Sequence, residues 1–149
     1  MKKDLKSIIL TRQELQIMKV VWNLGSATVR EVCATICQVK PTAYTTILTL
    51  MGILEEKGAL VHERMGRAYV YKPLLSKRQA TKNQISDVIA RFFESDPEKM
   101  IAYVLENEIK NADQINDIRT MLLRWEGRVL APEEEMWQAF SQFGGRSDS

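Results

Sequence analysis

Two helix starts are written into the opening of the chain, and they limit its fold more than any other feature. Thr11-Arg12-Gln13-Glu14 and Thr28-Val29-Arg30-Glu31 each place a hydroxyl at an N-cap and a carboxylate three residues later. In that pattern the hydroxyl accepts from the N3 amide and the carboxylate accepts from the N-cap amide, so two otherwise orphaned donors are satisfied. Behind the first box Leu15, Met18 and Trp22 recur at helical spacing, with Ile17 and Val21 widening the stripe, until Leu24-Gly25-Ser26 stops it. Behind the second, Val29, Val32, Cys33 and Ile36 share a face. That helix has to end ahead of Lys40-Pro41, because the residue before a proline is pushed out of the α region.

The stretch PTAYTTILTLMGIL that follows predicts a third helix, capped by Thr42 and closed at Glu56-Lys57-Gly58, where glycine suits the position after a helix end. Thr46, Leu50, Ile53 and Leu54 are expected to face inward, leaving Thr42, Tyr44, Thr45 and Leu48 outward. Threonine is a mediocre helix former because β-branching restricts its rotamers. Four threonines and a tyrosine within residues 41–49 therefore suggest a surface with something to touch.

The period then changes. ALVHER (59–64) and RAYVYK (67–72) alternate and are rich in strand formers, with Met65-Gly66 between them as a hairpin turn. Arg64 and Arg67 make its tip basic, and Pro73 ends it. Helical signals return at Ser76-Lys77-Arg78-Gln79, another candidate capping box, followed by Ile85, Val88, Ile89, Phe92 and Phe93 in register toward Glu94. Asp96-Pro97-Glu98 combines an N-cap residue, proline at N1 and an early carboxylate ahead of Met100, Ile101, Val104 and Leu105. A last helix is expected from near Asn111, carrying Ile115, Ile118, Met121, Leu122 and Trp125.

Three helices and a basic hairpin predict a mainly α fold: a winged helix-turn-helix over residues 1–75 with a helical dimerisation domain over 76–125. Such short amphipathic helices bury their stripes poorly in isolation, so a second copy is expected to cover them, packing back on the first domain being the alternative. Residues 126–149 are expected to form an extension with a short amphipathic helix through Met136, Trp137, Phe140 and Phe143 and a disordered GGRSDS end.

Charge supports this division. Residues 1–82 carry fourteen Lys/Arg against six Asp/Glu, whereas residues 83–149 carry seven against thirteen. A basic N-terminal half points to a polyanionic partner. No apolar run is long enough to cross a bilayer, and MKKDLKSIILTRQE is interrupted too early for a signal peptide, so a cytoplasmic protein without membrane insertion is expected. Catalytic residues, cofactors and metal ligands are not expected. His62 is the single histidine, the carboxylate runs Glu55-Glu56 and Glu133-Glu134-Glu135 read as solvated helix faces, and phosphate-loop and metalloprotease motifs are lacking. Cys33 and Cys37, the two cysteines, read as reduced thiols, with a thiol-sensing pair as the sharper alternative.

In a winged helix the third helix enters the major groove with its N-terminal residues near base edges. Threonine hydroxyls then reach bases or phosphates, and threonine or alanine methyls meet thymine methyls. The wing arginines would lie on backbone phosphate or in the adjacent minor groove. Candidate DNA-binding residues are accordingly Thr42, Ala43, Tyr44, Thr45, Leu48, Arg64 and Arg67. Double-stranded DNA is favoured over RNA because the A-form major groove is too narrow for a helix. A winged helix serving as a protein-interaction module is the alternative.

TVREV at 28–32, AYTTILTLMGILEEKGAL at 43–60 and GRAYVYKP at 66–73 resemble the BlaI/MecI/CopY family of bacterial repressors over roughly residues 8–125. The resemblance implies a homodimeric winged-helix repressor on a palindromic operator, with the C-terminal helices forming the dimer. Operator contacts would fall at Thr42, Tyr44 and Thr45, with Arg64 and Arg67 on the wing. Members resembling the penicillinase repressors are relieved when a membrane sensor metalloprotease triggers their cleavage, which makes that protease, or one downstream of it, an expected partner. Cleaved members carry an Asn-Phe scissile bond, whereas IAYVLENE at 101–108 has none and no Asn-Phe occurs in the chain. The copper-responsive branch has a C-terminal cysteine cluster, and here no cysteine follows Cys37.

Overall fold

A computed structural model describes residues 4–126. The expected amphipathic segment through Met136, Trp137, Phe140 and Phe143 lies outside the described residues. A 3₁₀ turn at Leu5–Ser7 precedes α1 (Arg12–Leu24), α2 (Val29–Cys37) and α3 (Tyr44–Lys57). The hairpin β1 (Leu60–Met65) and β2 (Ala68–Pro73) follows, then α4 (Lys77–Phe92), α5 (Pro97–Asn107) and α6 (Ala112–Trp125). This is the mainly α winged helix-turn-helix anticipated from the sequence, followed by further helices. Among the described residues two compact units can be told apart, with the division between Phe92 and Phe93.

Both capping boxes form in full. Thr11 Oγ1 accepts from Glu14 N at 3.2 Å while Glu14 Oε1 accepts from Thr11 N at 2.9 Å. Thr28 and Glu31 repeat the exchange at 3.1 and 2.9 Å. Gly25 (φ 84°) and Gly58 (φ 93°) end α1 and α3 in backbone conformations that side chains with a Cβ rarely adopt.

Ile17, Met18 and Val21 of α1, Val32 of α2, and Ile47, Met51 and Leu54 of α3 form the core, closed by Ile8, Leu60 and Leu75. The inward face of α3 thus differs from the expected one. Thr46 and Ile53 are exposed, and Ile47 and Met51 take their places. Both sets have helical spacing on a segment apolar on most sides, and packing chooses the set that excludes the hydroxyl.

Strands β1 and β2 pair antiparallel from Leu60↔Pro73 to Met65↔Ala68, so the connecting turn is Gly66-Arg67, one residue later than expected. Gly66 at φ 65° is its first central residue, the position at which a tight hairpin turn favours glycine. Ala27, between α1 and α2, exchanges both backbone bonds with Tyr71 (2.9 and 2.8 Å) and so adds a third short edge to the hairpin. Trp22 Nε1 donates to Leu75 O at 2.8 Å.

Two buried polar residues lock the N-terminal segment in place. Glu14 is 3% exposed and pairs with Lys57 Nζ at 2.7 Å, while the same ammonium donates to Ile9 O at 3.2 Å. Burial alone would push the Glu14 carboxyl up. Lys57, both as donor and as charge, and the Thr11 amide and hydroxyl outweigh that and hold it below the ordinary carboxylate value. Asn83, buried on α4, donates to Leu5 O (2.8 Å) and Ile8 O (2.9 Å) and accepts from Gln79 Nε2 (2.7 Å). Asn83→Leu keeps the volume but strands both carbonyls, so a loss of about 1–3 kcal/mol is expected in chemical denaturation. An unchanged midpoint would contradict this role.

In the second unit Asp96 caps α5 through the Glu98 amide (3.0 Å), with Pro97 at its first position. Asn111 caps α6 through the Gln114 amide (2.9 Å). Glu94 and Ser95, at φ 54° and 62°, break the chain out of α4 before that cap. Neither α5 nor α6 has a buried residue. Ile101, Leu105, Ile115 and Leu122 of their apolar stripes are exposed.

Candidate nucleic-acid interface

Helix α3 has one buried face, built on Ile47, Met51 and Leu54, and one open face opposite it. At 100° per residue the open face runs through Thr45, Leu48, Thr49 and Gly52, all exposed. Thr45 and Leu48 were anticipated from the sequence. Thr49 and Gly52 join them once Ile47 and Met51 are known to point inward. Any Cβ added to Gly52 would meet nothing within 4 Å, so the surface here is low and unobstructed.

Thr42 does not cap α3 as expected. The N-cap is Ala43, which has no side chain to offer, and Thr42 Oγ1 donates instead to Lys40 O at 3.0 Å. Proline at 41 sets up this turn and delays the helix by one residue. The first amides of α3 thus receive no side-chain cap, and they carry the positive end of the helix dipole. Beside them Arg12, Gln13, Lys40, Thr42, Ala43 and Thr46 line part of a cleft of about 440 Å³ between α1 and the turn into α3. Its two cations and exposed amides suit a phosphate oxygen.

The hairpin is tied to α3 by a residue that the sequence presented as a solvated charge. Glu55 accepts from the backbone amide of His62 at 3.1 Å and bonds its ring Nδ1 at 2.5 Å. The His62 ring meets Tyr69 edge-on at 4.8 Å and lies 5.4 Å from Tyr71. Burial, then the Glu55 charge and the nearby Tyr44 and Tyr69 hydroxyls, push the Tyr71 phenol up and keep it neutral. Only the local pattern HER was legible; a contact between Glu55 and His62 depends on how the strand folds back. Beyond this brace the tip is open. Arg64, whose Nε reaches Gly66 O at 3.2 Å, and Arg67 are both exposed.

Tyr44, 49% exposed at the first position of α3, and Leu48, 44% exposed one turn on, complete the anticipated set. Thr42 is half-buried and engaged with its own turn, so of the seven residues it has the least freedom to reach outward.

The sequence matches a known family. The model for the penicillinase repressor covers residues 10–124. The chain belongs to the penicillinase-repressor family. Among characterised relatives, the penicillinase repressor of Bacillus licheniformis is 29% identical over 109 residues, 73% of this chain and 85% of its own. An uncharacterised 16.5 kDa protein from the ptsI 3′ region of Latilactobacillus sakei is 31% identical over 74 residues, half of each chain. Two solved structures are also similar, each at 33% identity over 53% of this chain and 93% of the other. One is the DNA-binding domain of the repressor BlaI in solution (TM-score 0.47). The second is monomeric Bacillus licheniformis BlaI in complex with the blaP half-operator (TM-score 0.44). The family match spans α1 to α6 and so includes the wing and both C-terminal helices.

Proposed function

We propose that this DNA-binding transcriptional repressor acts as a homodimer, each copy laying α3 in the major groove of one half of a palindromic operator. The observation that carries the reading is the open face of α3, where Thr45, Leu48, Thr49 and Gly52 stand opposite a fully buried stripe. Thr45 and Thr49 supply hydroxyls to base edges, Leu48 and the Ala43 methyl supply apolar contact, and Tyr44 reaches the backbone or a base from the helix start. Arg64 and Arg67 follow the phosphates from the wing, held at a fixed distance from α3 by Glu55 and His62. The turn through Thr42 seats a further phosphate with Arg12 and Lys40.

Residues 76–125 supply dimer contacts through the exposed stripes of α5 and α6. The protein acts in the cytoplasm by occupying DNA, with no reaction and no cofactor of its own. Among the described residues no helix is long and apolar enough to cross a membrane. A sensor protease or its downstream protease is the partner implied by the family resemblance, although the Asn-Phe bond cut in cleaved members does not occur in this chain.

The test is a mobility-shift titration on the promoter DNA of the protein's own operon against scrambled DNA of equal length. A specific complex of roughly nanomolar affinity is expected. Raising salt from about 50 to about 200 mM should weaken it by about 10³-fold or more, as six or more phosphate contacts require. Equal affinity for both DNAs from a folded dimer would overturn the reading.

A further inference from the structure

Cys33 and Cys37 occupy the last turn of α2, one helical turn apart, with their sulfurs 3.8 Å from each other. Both point at the same acceptor. Cys37 Sγ lies 3.1 Å and Cys33 Sγ 3.8 Å from the carbonyl oxygen of Thr42. That carbonyl belongs to the turn that delivers Ala43 and Tyr44 to the start of α3. Cys37 is exposed and Cys33 half-buried, so reagents in solution have access.

Helical geometry selects what can join the two sulfurs. Cβ atoms one turn apart stand about 5–6 Å from each other. A direct disulfide wants them about 3.5–4.5 Å apart, so it has to distort the turn. A bridge of one additional atom removes that conflict. A metal ion that needs three or more protein ligands is poorly served, because no group of three His, Cys, Asp or Glu residues is gathered among the described residues. A centre that needs only two sulfurs, and brings its remaining substituent with it, fits.

We propose that Cys33 and Cys37 form a dithiol site for trivalent arsenic or antimony compounds, and that occupying it displaces the Thr42 turn and the start of α3. With a monosubstituted arsenoxide, two S–As bonds form and both S–H bonds break. The oxide oxygen leaves as water carrying the two thiol protons, and arsenic stays trivalent throughout. Each sulfur exchanges its hydrogen for arsenic, so the S–H contacts to the Thr42 carbonyl are lost and the turn is released. The consequence for operator binding rests on the function proposed above, whereas the site itself does not.

Phenylarsine oxide is the probe. The reduced full-length protein should take up one equivalent per chain, with loss of one water by intact mass. The adduct should withstand excess glutathione and come off with dimercaptopropanol. Cys33→Ser and Cys37→Ser should each lose this resistance, and because both serine variants keep the helix, they report on the sulfurs alone. Amide exchange at Thr46 and Ile47, whose amides donate to Ala43 O at 3.1 and 3.2 Å, should rise at least tenfold in the adduct, and operator affinity should fall at least tenfold. Retention by either single variant equal to the wild type would overturn the site. Unchanged exchange at Thr46 and Ile47 in a stable adduct would overturn the coupling. A wild-type protein that forms no specific DNA complex even without arsenical sinks the functional reading instead, since mass and exchange still decide this one.

Discussion

Leu122→Glu is expected to separate the proposed dimer and to lower operator affinity by about 10²–10⁴-fold, the gain that linking two half-site contacts provides. Ile115, Ile118, Leu122 and Trp125 recur on one face of α6 at helical spacing, and Leu122 is 64% exposed in the single chain. An apolar side chain so placed loses little by substitution in a monomer. Across an interface the same carboxylate would have to be buried opposite leucine and isoleucine, at a cost of several kcal/mol. Sedimentation velocity separates the cases. A monomer with an unchanged unfolding midpoint for the N-terminal unit and weakened DNA binding is the expected outcome. A variant that stays dimeric, or that binds the full operator as tightly as wild type, would place the dimer contacts elsewhere.

The second large effect is on stability. Lys57→Met removes the ammonium that compensates Glu14 while leaving a buried carboxylate behind. Breaking a buried pair from one side costs about 3–5 kcal/mol, and the partial exposure of the Lys57 side chain places this pair at or below the lower end of that range. The effect has a sign in pH. In the wild type the Glu14 carboxyl is held below its ordinary value, so its stabilising contribution is complete above the ordinary glutamate range. It is lost as pH falls through the lower folded value. In the variant burial acts unopposed by Lys57 and the carboxyl protonates at higher pH, which relieves the unpaired charge. The difference between the two proteins should therefore be largest near neutrality and shrink toward acid. Glu14→Gln combined with Lys57→Met should recover part of the loss. A gap independent of pH would show that packing of the lysine stem, not the charge, is what matters.

Much of the fold was legible because it is fixed locally. The Thr11 and Thr28 boxes, the glycine stops at Gly25 and Gly58, and the Asp96-Pro97 start each depend on residues within one turn of each other. The stripe on α3 was less legible because leucines, isoleucines and methionine surround the helix, and sequence spacing cannot distinguish Thr46/Ile53 from Ile47/Met51. Thr42 misled for a different reason: proline ahead of it creates a turn whose carbonyl offers the hydroxyl a partner before any helix amide does. The contacts that position the interface could not be read at all. Glu14–Lys57, Asn83 with the Leu5 and Ile8 carbonyls, and Glu55–His62 join elements that become neighbours only after the core forms.

At the candidate interface, the sequence placed Thr45 outward and, by the change of period at Ala59, the two arginines at the hairpin tip, whereas Thr42, expected outward, is half-buried and Thr46, expected inward, is exposed. It missed Thr49 and Gly52, which follow from the orientation of α3. It also took Glu55 for a solvated charge, when its carboxylate braces the wing.

In the proposed complex α3 reads bases while the wing holds phosphates. Competition binding of wild type, Thr45→Ala and Arg67→Ala to operator and scrambled DNA tests it most directly. Thr45→Ala should lower the operator-to-scrambled ratio by roughly 5–150-fold, the effect of losing about 1–3 kcal/mol of base discrimination, and leave scrambled affinity nearly unchanged. Arg67→Ala should weaken both DNAs alike and reduce the salt slope by about one. If Arg67→Ala alone changes the ratio while Thr45→Ala weakens both DNAs equally, the roles of helix and wing are the reverse of those proposed.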